Sequence, residues 1–60
     1  MAKFIRLKQV IEKTTLSKSE IYRLVSTNEF PSQVSLGGRS VAWVYDEVDN
    51  WCNQKINSRN

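Results

Sequence analysis

Apolar residues along this chain follow two different rhythms. From about Leu7 to Lys13 they recur at helical spacing, as Leu7, Val10 and Ile11. From Ser17 to Ser26 or Thr27 they do so again, as Ile21, Leu24 and Val25. Between Gln33 and Val44 the rhythm changes to alternation. Gln33-Val34-Ser35-Leu36 and Ser40-Val41-Ala42-Trp43-Val44 flank Gly37-Gly38-Arg39, which is the pattern of a β-hairpin whose glycines allow the positive φ of a tight turn. Helical spacing returns from about Tyr45, with Val48, Trp51 and Cys52 on one face and Ile56 in line to extend it. Phe4-Ile5-Arg6-Leu7 comes first, as an edge strand or a lead-in packed on the core. The predicted fold is mainly α with a small β-hairpin (α+β), in the order helix, helix, hairpin, helix.

Punctuation residues sharpen these limits. Thr14-Thr15 ends the first helix, because hydroxyl-bearing β-branched residues compete with the helix backbone. Leu16 stands just before the next N-cap, where it supplies the apolar half of a staple. Ser17 and Glu20 have the S-x-x-E spacing of a capping box. Asn28 is a reasonable stop, and Pro31 pushes Phe30 toward extended geometry. Asp46, Glu47 and Asp49 load the first turns of the third helix and Lys55 lies near its far end, which suits the helix dipole. The ordered part is expected at about residues 4–56, with the tail Asn57-Ser58-Arg59-Asn60 frayed.

Composition excludes more than it selects. Sixty residues make one domain, and a chain this short buries only about 60% of the surface that it exposes when unfolded. The single cysteine, Cys52, excludes an internal disulfide and fits a reducing cytoplasm. With no histidine, a Cys/His zinc site and the commonest general acid–base are both absent. Gly37-Gly38 lacks the spacing and following helix of a phosphate-binding loop. No enzyme constellation, metal or cofactor is therefore expected. No apolar run approaches a membrane span, and none reads as a signal peptide. The net charge of +3 favours an anionic partner only weakly.

Arrangement favours it more. Two short helices around a break form a helix-turn-helix, whose second helix enters the DNA major groove, and the following hairpin is a wing. On the second helix Ser19, Tyr22, Arg23 and Ser26 lie opposite the apolar stripe, and Lys18 sits at the N-terminal end, which already favours phosphate. Arg23 and Lys18 are the first candidates for DNA contact; otherwise they are solvated charges paired with Glu20 or Glu29. Ser19 lies in the turn from which recognition helices meet bases. Tyr22 either packs on the sugar-phosphate backbone or covers the core rim. Arg39 at the wing tip has few local partners, which favours phosphate or the minor groove, with Ser40 and Ser35 beside it. Ser17 and Lys8 complete the candidate set, and Lys3 and Arg6 cluster with Lys8. Trp43 and Trp51 are assigned to the core rather than to base stacking, and Cys52 to a small buried apolar position.

The motifs L-S-x-S-x-I-Y-R (Leu16 to Arg23), Phe30-Pro31, G-G-R-x-x-x-W (Gly37 to Trp43) and E-V-x-x-W (Glu47 to Trp51) together resemble the AlpA family, over about Phe4 to Ile56. That family consists of small phage- and prophage-associated DNA-binding regulators, akin in fold to MerR-type winged helices and phage excisionases. The resemblance implies a winged helix-turn-helix that binds double-stranded DNA in a mobile element and controls excision or integration genes. Its location would be cytoplasmic, on the nucleoid. An excisionase-like factor that bends attachment-site DNA is one alternative, and a protein-interaction module is another. Self-association or cooperative binding on DNA is expected of so small a module, and an integrase or RNA polymerase is a candidate protein partner.

Overall fold

The computed structural model describes residues 2–59. Among them are six elements: β1 (Phe4–Ile5), α1 (Leu7–Thr14), α2 (Lys18–Ser26), β2 (Val34–Gly37), β3 (Ser40–Val44) and α3 (Tyr45–Asn57). The expected order of helices and hairpin is present. Phe4-Ile5 is a strand, antiparallel to β3, so the hairpin belongs to a three-stranded sheet of order β1-β3-β2.

α1 and α2 start and stop for local reasons. α1 begins at Arg6, whose amide donates to Gln9 Oε1 at 2.8 Å. It runs one residue beyond Lys13, because the Thr14 hydroxyl donates back to the Val10 carbonyl at 2.8 Å instead of breaking the helix. Thr15 then adopts φ 63°, and its amide closes on the Ile11 carbonyl at 2.7 Å. α2 opens with both halves of the capping box: Glu20 N–H donates to Ser17 Oγ at 3.2 Å, and Ser17 N–H to Glu20 Oε1 at 3.1 Å. It closes in a Schellman arrangement, with Asn28 left-handed at φ 61°. Glu29 N–H reaches the Leu24 carbonyl (2.8 Å) and Asn28 N–H the Val25 carbonyl (3.1 Å).

The core is Ile5, Val10, Ile21, Phe30, Ala42, Trp43 and Val48, one or two side chains from almost every element. Trp43, fully buried, is its largest member; its indole N–H donates to the Pro31 carbonyl at 3.0 Å. Lys13 on α1 bridges to Asp49 on α3 at 3.0 Å, and Lys13 and Lys3 both lie over the Tyr45 ring, 4.7 and 5.2 Å from its centroid.

One expectation, the burial of Cys52, needs correction, and three details add to the rest. α3 runs through Asn57, and the Ser58 amide bonds the Gln54 carbonyl at 3.0 Å; Asn60 lies outside the described residues. Ile56 extends α3 and is 54% exposed, within a stretch from Asn53 to Arg59 that is exposed throughout. Cys52 is half-buried rather than buried. Leu36 is 44% exposed: the pairs Ser35–Val41 and Gly37–Ser40 leave it as the extra residue of a bulge, which breaks the alternation that would have turned it inward.

Candidate nucleic-acid interface

The apolar stripe of α2 dictates what the helix presents to solvent. Ile21 is fully buried, and Leu24 and Val25 pack partly against the core. Ser19, Arg23 and Ser26 therefore stand exposed on the opposite side, with Tyr22 half-buried at its margin and Lys18 exposed at the first helical position. Lys18, Arg23, Arg39 and Lys8 make no ion pair or side-chain hydrogen bond among the described residues; the ion pair there is Lys13–Asp49. Glu20 and Glu29, the expected partners of the α2 cations, are engaged otherwise. Glu20 caps α2, and Glu29 Oε2 accepts from the Thr27 hydroxyl at 2.7 Å.

Three of the candidate hydroxyls have local duties. Ser17 Oγ accepts from Glu20 N–H, Ser26 Oγ donates to the Arg23 carbonyl at 2.7 Å, and Ser35 Oγ accepts from Gly37 N–H at 3.3 Å. Ser19 and Ser40 are exposed and carry no such bond. Tyr22 packs edge-on to Trp43, with centroids 6.2 Å apart and planes at 63°, so its ring covers the core rim. Its hydroxyl has no partner among the described residues.

The wing is built for a tight tip. Gly37 at φ 110° and Gly38 at φ 55° lie in a region that L-residues rarely adopt, and Arg39 follows them exposed. The base of the wing is fixed through Trp43 of β3, which touches Tyr22 of α2. The capping bonds from Ser17, first its backbone amide and then its hydroxyl, hold the Glu20 carboxyl below its ordinary value. It stays ionised at the end of α2 that carries Lys18 and Ser19. Between α1 and α3, hydrogen bonds to Asp49 and then Tyr45 raise Lys13 above its ordinary value. That lysine is committed to joining α1 and α3.

Sequence reasoning missed Arg6 as a structural element. Its Nη1 donates to the Val41 carbonyl of β3 at 3.1 Å, a contact between residues 35 positions apart that no local pattern announces. Neither tryptophan is a free stacking platform. Trp43 is buried, and Trp51 packs edge-on against Phe30 at 4.8 Å with Lys55 over its ring at 5.2 Å.

Residues 3–56 match the family model described as the prophage CP4-57 regulatory protein (AlpA). The chain is 46% identical over 57 residues to the uncharacterized protein ORF88 of Enterobacteria phage P4; the alignment covers 95% of this chain and 65% of that relative, so the chain spans just under two thirds of the relative's length. It is 32% identical over 59 residues to the DNA-binding transcriptional activator AlpA of Escherichia coli strain K12, covering 88% of this chain and 84% of the relative. No solved structure matches the chain.

Proposed function

This chain belongs to the AlpA family of prophage regulatory proteins, and from that premise we propose that it is a sequence-specific DNA-binding regulator of a phage or prophage element, acting as a single winged domain on excision or integration genes. α2 enters the major groove and the wing lies along the backbone or in the adjacent minor groove. The observation that carries this reading is the α2 face itself: Lys18, Ser19 and Arg23 are exposed together, and neither cation is paired to an acid among the described residues. Arg23 is the base reader, because a guanidinium can bond bidentately to guanine O6 and N7. Ser19 assists it from the first turn. Lys18, Lys8 and Arg39 bind phosphates and supply affinity that falls with salt. Tyr22 turns only its hydroxyl to DNA, since its ring is spent on Trp43. One domain of this size covers little DNA, so useful specificity requires two or more copies on repeated or palindromic half-sites.

The test is a titration against DNA upstream of the neighbouring integrase or excision genes, at two salt concentrations, with random DNA as competitor. Binding that survives competitor supports the reading. Affinity no better than for random DNA overturns it and moves a protein partner into first place. A long protected region with a measured bend would identify an excisionase-like architectural factor within the same DNA-binding class.

A further inference from the structure

The strand β1 is only two residues long, and what continues its work is a side chain. β1 pairs Phe4 with Val44 and Ile5 with Trp43, then the chain turns into α1 at Arg6. In an antiparallel ladder alternate residues of a strand present N–H and C=O to the same neighbour. Val41 and Trp43 of β3 form such a row, with Tyr45, the first residue of α3, in line after them. Tyr45 N–H donates to the Lys3 carbonyl at 2.7 Å, and Trp43 faces Ile5. At Val41 no β1 residue remains, and the carbonyl is taken by Arg6 Nη1 at 3.1 Å. Val41 is the last residue on this side before the tip, pairing with Ser35 across the hairpin, and Arg39 lies two residues further on. The backbone of Arg6 is meanwhile fixed at the start of α1 by its bond to Gln9.

We propose that Arg6 is a positioning residue for the wing: its guanidinium braces the outer half of β3 against the start of α1 and so sets where Arg39 meets DNA. This rests on the DNA-binding reading above. Arg6 is exposed and Val41 half-buried, and the bond between them lies at the surface, so water can replace the guanidinium and the fold itself gains little from it. The contact acts on orientation. Without it the hairpin beyond Ala42 is held only by its own turn and by β2, whose bulge at Leu36 already loosens the pairing.

The test compares Arg6→Met, which keeps the stem and removes the donors, with the wild type, first in the absence of DNA. Amide exchange and chemical shifts of Gly37 to Val41 are expected to report a more mobile wing, while the melting temperature stays within about 2 °C of wild type, as suits an exposed hydrogen bond. An unchanged wing overturns the proposal whatever the protein does with DNA. DNA affinity is then measured for Arg6→Met, Arg39→Ala and the double variant. Arg6→Met is expected to weaken binding roughly 3- to 10-fold alone and to cost nothing further in the Arg39→Ala background, the signature of two residues acting as a unit. Additive costs would instead make Arg6 an independent phosphate contact and overturn the positioning role. Should the wild type fail to bind DNA specifically, the DNA reading fails, and with it the wing's purpose; the brace itself is still decided by the exchange data.

Discussion

The indole N–H of Trp51 donates to the carbonyl of Glu29 at 2.7 Å, from the middle of α3 to the first residue past the Asn28 turn. Two residues further along that loop, the Pro31 carbonyl accepts from Trp43 at 3.0 Å. Phe30 lies between the two acceptors, buried, its ring edge-on to Trp51. Two tryptophans from different elements thus pin the segment that carries the chain from α2 to the wing. Trp51→Phe keeps most of the ring contact and removes the donor, so it should cost about 1 kcal/mol of stability. Trp51→Ala also empties the space beside Phe30 and should cost roughly 3 kcal/mol. Denaturant unfolding measures both. Neither variant should change the salt dependence of DNA binding, and a changed slope would return Trp51 to the interface.

Arg23 and Arg39 are both exposed and have no ion-pair partner among the described residues, yet they are assigned different work. A base-reading arginine loses discrimination when truncated; a phosphate-binding one loses affinity everywhere. Arg23→Ala should therefore cost roughly 1–3 kcal/mol on the specific site and relax preference at one base position, while Arg39→Ala weakens specific and random DNA alike and lowers the salt slope by about 1. Titrations of both variants on matched and single-substituted sites separate the roles. Equal losses with unaltered slopes would contradict both assignments.

The α2 cap carries a pH dependence. Glu20 titrates below its ordinary 4.5, because Ser17 donates to its ionised form. A carboxyl depressed by folding contributes stability that is fully present above its unfolded pKa and is lost as pH falls through the folded value. The start of α2, with Lys18 and Ser19, should accordingly loosen on acidification below 4.5. Glu20→Gln can still accept from Ser17 N–H but does not ionise, and it should flatten this part of the profile. Thermal melts of the two proteins from neutral pH downward check this; parallel curves would remove Glu20 from the account.

Much of this architecture is legible in the chain because it is written locally. The Ser17–Glu20 box, the Asn28 stop and the Gly37-Gly38 turn each depend on residues a few positions apart, and each lies where the pattern puts it. What could not be read depends on distant partners. Tyr22 was open between two roles until Trp43 was placed beside it. Leu36 alternates correctly in the sequence but sits on a bulge fixed by pairing with β3. Ile56 keeps helical phase, yet nothing in the sequence says that the last turns of α3 stay exposed. The candidate contacts themselves were legible as residue types on a face. The free state of Lys18 and Arg23 was not, since it follows from Glu20 and Glu29 being occupied elsewhere.

Thr15 occupies the turn between α1 and α2 with φ 63°, a left-handed conformation that suits glycine or asparagine and not a β-branched residue. A non-glycine residue held there costs on the order of 1–3 kcal/mol. The turn keeps it because Thr15 N–H must close on the Ile11 carbonyl before Ser17 can start α2. Thr15→Gly removes the clash but admits more freedom to the unfolded chain, which returns about 0.5–1 kcal/mol. Thr15→Asn relieves part of the strain without that entropic penalty. Both should stabilise the domain by about 0.5–1 kcal/mol, and at this chain length each 1 kcal/mol moves Tm by roughly 4–8 °C. DNA affinity should not change, because α1 and α2 are both anchored in the core, through Val10 and Ile21, while Thr15 is exposed. Calorimetry of the two variants beside a DNA titration makes the check. A lower Tm for Thr15→Gly would mean that the threonine side chain supports the turn more than its backbone strains it.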